Sequence, residues 1–92
     1  MATTLLNAVT ANGAGSGSAL AGPLTVQVYG TFAGATVHVE SSVDGTNYSP
    51  CGRPAQLSQP GLVNIETHGT TTIRCVVSGV SATTSVSAKT PT

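Results

Sequence analysis

The stretch LTVQVYGTFAGATVHVESS, residues Leu24–Ser42, decides the fold class. Leu24, Val26 and Val28 alternate with Thr25, Gln27 and Tyr29. After the short TFAG segment, Ala35, Val37 and Val39 alternate with Thr36, His38 and Glu40. Period two sends successive side chains to opposite faces of a strand, so both runs read as half-buried β-strands. The gap between them suits a hairpin joined by a loop of roughly three to five residues.

Working outward toward the C-terminus, Val43–Tyr48 (VDGTNY) carries Asp44-Gly45, a tight-turn pair: Gly accepts positive φ, and Asp can bond the backbone two residues on. Cys51-Gly52-Arg53-Pro54 and Gln59-Pro60-Gly61 mark an irregular connection. Leu62–Glu66 reads as a short strand and His68-Gly69 as a turn. Thr71–Ser78 is the central-strand candidate, with Ile73, Cys75 and Val77 inward. Thr83–Lys89 closes the chain with Val86 and Ala88. No segment spaces bulky apolar residues as a helix does. Six or seven short strands at intervals of about 8–12 residues predict an all-β fold, a small antiparallel β-sandwich of Ig-like or jelly-roll-like type.

Toward the N-terminus, Thr3–Thr10 reads as a short strand with Leu5 and Val9 as its larger apolar groups, and Ala11–Gly22 reads ANGAGSGSALAG. A Gly/Ser/Ala run holds no side chain able to build a core, so residues 1–22 are expected to form a flexible arm on a sandwich of residues 23–92. Within that arm, Thr3–Thr10 could add as a strand to an open sheet edge, in this subunit or a neighbour.

The chain has 92 residues, room for one small domain with an expected folded surface of about 4,900 Å². Lys+Arg number 3 and Asp+Glu 3, so the balance of charge argues against direct nucleic-acid or membrane-surface binding and favours association. No run approaches the ~20 apolar residues of a helical membrane span, and no basic residue precedes the first apolar ones as in a secretory signal. Two cysteines are too few for a disulfide scaffold. Cys51 and Cys75 could pair, although a cysteine on a strand, as Cys75 is, is more often a small buried apolar group.

Reactive groups are sparse. His38 and His68 are the only bases near neutral pH; one alternates outward on its strand and the other adjoins a turn. Cys51, Cys75, His38 and His68 lack the clustered spacing of zinc ligands. Glu40, Asp44 and Glu66 give no sign of a paired carboxylate site. GAGSG lacks the Gly-Lys-[Ser/Thr] and helix of a phosphate loop. No catalytic, cofactor-binding or metal-binding residue is therefore expected, and the chain reads as a non-enzyme without cofactors.

The segment VYGTFAGATVHVESSVDGTNY, residues Val28–Tyr48, resembles a group of small tailed-phage virion proteins with the pattern G-T-F-x-G-A-T-V-x-[VL]-x-x-S-x-D-G-T-x-[WY]. Tyr48 stands where Trp is common, and the segment VVSGVSATTSVSA, residues Val76–Ala88, is similar to their closing strand pair. Together the two pieces cover a little over a third of the chain, and Cys51–Gln59 has no counterpart in the pattern. The resemblance implies a β-sandwich structural component, including capsid cement (decoration) proteins that sit as trimers on the head. Its expected partners are the major capsid protein and further copies of itself, its location the virion surface after synthesis in the host cytoplasm. A tail or head–tail connector part is an alternative. A carbohydrate- or receptor-binding module is a weaker one, because the chain offers only Tyr 2, Phe 1 and Trp 0 as stacking platforms. Leu5, Leu6, Val9, Phe32 and Tyr48 are the expected core or interface anchors.

Overall fold

Burial along Leu24–Ser42 follows the alternation of the sequence in the computed structural model, which describes residues 2–54 and 56–91. Leu24, Val26, Val28, Ala35, Val37 and Val39 are buried, while Thr25, Gln27, Tyr29, Thr36, His38 and Glu40 keep partial or full exposure. The strands are β1 (Thr3–Val9), β2 (Gly13–Ala14), β3 (Ser18–Thr31), β4 (Thr36–Ser42), β5 (Ser49–Pro50), β6 (Gln56–Leu57), β7 (Gly61–Ser78) and β8 (Ser85–Thr90). They form one antiparallel sheet in the order β1-β8-β3-β7-β4-β5, with β2 on β7 and β6 on β4. The described residues contain no helix. The accessible surface is 4855 Å², close to the value expected for this length.

The sheet is folded into a small sandwich by two long strands that belong to both layers. The second part of β3 pairs with the start of β7 (Leu24↔Ile65 to Val28↔Gly61) and with β8 (Gln27↔Lys89 to Thr31↔Ser85). The first part of β3 pairs with the end of β7 (Ser18↔Ile73 to Gly22↔Gly69), whose other edge takes β4. Between these stretches the register breaks: Gly22 faces Gly69, and the next partners are Leu24 and Ile65. Pro23 has no N–H to give to the ladder, and Gly69 holds φ +77°, so both strands can turn the corner there. Strands that switch layers at bends of this kind make the corners of sandwiches whose layers cross steeply. The core between the layers draws Val26, Val28, Val63, Ile65, Val86 and Ala88 from one side and Val37, Val39, Ile73, Cys75 and Val77 from the other.

Two expectations change here. First, β3 and β4 are not a hairpin. Thr31–Gly34 carries the chain from one layer to the other, and β4 pairs with β7. Phe32 (6% exposed) and Ala35 (0%) are buried within that connection, so the turn wraps the core. Thr84 Oγ1 donates to the Phe32 carbonyl at 2.9 Å and pins the corner to the approach of β8. Second, His68-Gly69 is a bend within a continuous β7, which spans both the Leu62–Glu66 and the Thr71–Ser78 strands of the sequence reading.

The segment expected as an arm lies in the sheet. β1 pairs with β8 of its own chain, from Thr3↔Thr90 to Val9↔Val86, and β3 runs unbroken across the 22/23 boundary. The register shift between Thr4 and Leu6 marks a bulge at Leu5, which lets the consecutive Leu5 and Leu6 both turn inward, each 3% exposed. The small residues of Ala11–Gly22 serve close backbone approach. A Cβ on Gly15 would lie 2.5 Å from the Leu5 carbonyl oxygen, and one on Gly22 would collide with the Thr67 side chain and lie 2.6 Å from its carbonyl oxygen. Composition alone reads as a linker because it does not register what the missing side chains make room for.

Gly22→Ala should therefore destabilise the fold by about 1–3 kcal/mol, the usual cost of overpacking. Leu6→Ala should cost about 2–5 kcal/mol. Urea unfolding followed by circular dichroism checks both; a change under ~0.5 kcal/mol in either variant would return residues 1–22 to the role of an appended arm.

Candidate interaction surfaces

The loop after β4 is held at both ends. Ser42 is buried at 3% exposure, and the neighbouring Ser41 Oγ donates to Thr71 Oγ1 at 2.9 Å. At the far end Tyr48 is half-buried, with the Arg74 guanidinium 3.7 Å above its ring centroid. Arg74 in turn bonds Glu40, its cross-strand partner, through Nε at 2.9 Å and a terminal nitrogen at 2.8 Å. An ion pair this exposed contributes about 0–1 kcal/mol, and the cation–π contact about 0.5–2 kcal/mol. Their joint effect is to fix the ring on the outer face of the sheet.

Between these ends Asp44 organises the turn. Its Oδ1 accepts from the Thr46 N–H (2.8 Å), the Asn47 N–H (2.9 Å) and the Ser42 hydroxyl (2.7 Å), and its Oδ2 accepts from Asn47 Nδ2 (3.0 Å). Ser42 Oγ accepts in its turn from the Asp44 and Gly45 N–H groups. The Asn47 backbone N–H is the largest of the effects that hold the Asp44 carboxyl far below its usual range, followed by the Thr46 N–H, the Ser42 hydroxyl and the Asn47 amide. A rigid, anionic turn results, with Val43 standing 92% exposed at its tip.

A second surface lies on the outer face of the other layer. Leu62, Gln27 and Lys89 form one cross-strand row, Leu62↔Gln27 on one side and Gln27↔Lys89 on the other. With Ala2, Thr25 and Pro91 they line an apolar groove of about 320 Å³. Leu62 is 57% exposed, and Val43 and Leu62 are the two exposed large apolar side chains of the described residues.

A third hollow of about 420 Å³ sits where the Val43 loop meets the bend of β7, and brings Cys51, Glu66 and His68 to one rim. Burial raises the Cys51 thiol, and the Glu40 carboxylate raises it further, so at neutral pH the sulfur is protonated and a poor nucleophile. Cys75 is fully buried, and burial followed by the neighbouring Cys51 pushes it to about 12. Both cysteines are free thiols. Among the described residues no group of three or more His, Cys, Asp and Glu side chains gathers as a metal site would require. Among the described residues no helix is long and apolar enough to cross a membrane.

Of the anchors named from the sequence, Leu5, Leu6 and Phe32 lie in the core, and Val9 packs against it half-buried. Tyr48 stays outside the core and lies under Arg74 instead. Leu62, Lys89 and Val43 did not stand out in the sequence: a lone apolar residue on the polar phase of a strand, or within a turn, is visible there, but the register that sets Leu62 beside Gln27 and Lys89 is not. Comparisons with protein-family models, curated proteins and solved structures found no match.

Two measurements check this surface chemistry. The Asp44 carboxyl, followed by carbon NMR, should titrate well below 3.8, the ordinary aspartate value. A depressed folded-state pKa stabilises the fold above the unfolded value, so the loop's contribution should hold above pH 3.8 and fade as pH falls below it. A midpoint at or above 3.8 would contradict the hydrogen-bonded turn. An aromatic disulfide reagent should label Cys51 slowly at neutral pH and faster as pH rises, and reach Cys75 only on unfolding.

Proposed function

We propose that this protein is a non-enzymatic structural component of a phage virion, a cement protein that binds the outer surface of the head as a homotrimer and stabilises contacts of the major capsid protein. The carrying observation is the Val43 turn, an exposed apolar tip held rigid by an internal hydrogen-bond network and seated on a domain with little charge. Preorganisation of that kind lowers the ordering cost of binding a protein surface. The likeness of Val28–Tyr48 and Val76–Ala88 to small tailed-phage virion proteins supports the location. The raised thiols and the scattered histidines support a role without chemistry.

Arg74 covers one face of the Tyr48 ring, which leaves that ring less able to serve as a stacking platform for a sugar. The connector or tail alternative is separated by copy number. Quantitative mass spectrometry of purified particles should find the protein in hundreds of copies, on heads and absent from isolated tails. Heads lacking it should open at lower temperature and regain resistance when the purified protein is added. Tens of copies or fewer, or recovery with tails, would overturn the cement reading in favour of the alternative.

A further inference from the structure

We infer that the Val43-Asp44 turn of one subunit docks into the Leu62–Lys89 groove of a second copy, so that the chain assembles through a repeated knob-and-groove contact. The inference rests on the homotrimeric part of the function proposed above and gives that assembly its contact residues.

The knob and the groove match in chemistry. The knob carries an apolar tip, Val43, beside a carboxylate that the turn keeps ionised, Asp44. The groove carries an exposed apolar side chain, Leu62, in one row with an exposed ammonium group, Lys89, that makes no ion pair among the described residues. Apolar thus meets apolar while anion meets cation, which both orients the contact and disfavours its reverse. Arg74, by comparison, is already engaged by Glu40.

The two features also lie on different parts of the molecule. Ser42, the root of the knob, pairs with Thr72 just past the corner of β7, whereas Leu62 lies next to the Gly61 end of that strand, on the other side of the corner. A contact between two different patches is heterologous, and repeated heterologous contacts close into rings when the rotation allows. A groove of about 320 Å³ has room for a valine side chain and part of the following turn. Neither surface needs to rearrange, because the knob is locked by its own hydrogen bonds and the groove lies across paired strands.

The experiment uses the full chain. Sedimentation is followed from about 1 µM to about 1 mM for the wild type, Val43→Asp, Leu62→Asp and Lys89→Glu. The wild type should form a closed oligomer, and each variant should associate at least tenfold more weakly while melting as the wild type does. An equimolar mixture of Val43→Asp and Leu62→Asp should recover a heterodimer, since one partner keeps an intact groove and the other an intact knob. A benzoylphenylalanine photocrosslinker at position 43 should couple to the peptide containing Leu62 or Lys89 of another subunit. It reads the contact even if a substitution impairs folding. A wild type that stays monomeric throughout overturns both this contact and the trimeric part of the functional reading. An oligomer that survives all three substitutions, or crosslinks elsewhere, overturns the contact and leaves the assembly reading standing.

Discussion

The structure depends on β3 and β7 staying paired through a corner. These two strands carry both layers, and every other strand hangs on one of them or on a strand that does: β8 on β3, β1 on β8, β2 and β4 on β7, β5 and β6 on β4. The corner at Gly22, Pro23 and Gly69 is therefore a shared joint. Its demands are backbone demands: no side chain where Gly22 meets Thr67, no N–H where the ladder breaks, and a positive φ opposite. Burial of Val and Ile on both sides supplies the driving force, but the corner decides that one sheet can cover both faces of its own core.

A chain with three aromatic residues has to close that core without large plugs. It does so with β-branched side chains and with buried hydroxyls that keep partners, as Ser42, Thr71 and Thr84 do, while Thr67 Oγ1 is buried without one. Thr84 is the clearest case. At 2% exposure its Oγ1 donates to the Phe32 carbonyl and accepts from the Ser81 N–H at 2.9 Å, so the interlayer turn and the start of β8 are tied by one side chain. A buried polar group with its partners in place costs little, whereas the same group orphaned would cost about 1–3 kcal/mol. The abundance of Thr and Ser thus serves interior connections as well as solvent-facing strand positions.

The same economy appears on the surface. Arg74 and Glu40 neutralise each other on the sheet, so few unpaired charges remain on the described surface to repel a neighbour. What the surface presents is shape: a locked apolar tip at one place and a shallow apolar row at another. Surfaces of this sort suit repeated contact between rigid bodies better than capture of a small molecule, which calls for a concave site with convergent polar groups.

By itself the sequence determined the alternating strand segments and their inward faces, because alternation has only one reading in an extended chain: Val26, Val28, Val37, Val39, Ile73 and Val77 are buried where their period places them. It also determined the Asp44-Gly45 turn, whose chemistry is local. The tertiary structure alone decided which strands meet. The TFAG segment is as compatible with an interlayer connection as with a hairpin, since the choice depends on β7, which is far away in sequence. Leu5 and Leu6, adjacent in sequence, violate alternation and both become core only through the bulge against β8. Ala11–Gly22 carried the least legible information, because its glycines are defined by contacts they avoid with Leu5 and Thr67, and an absent side chain leaves no periodicity to read.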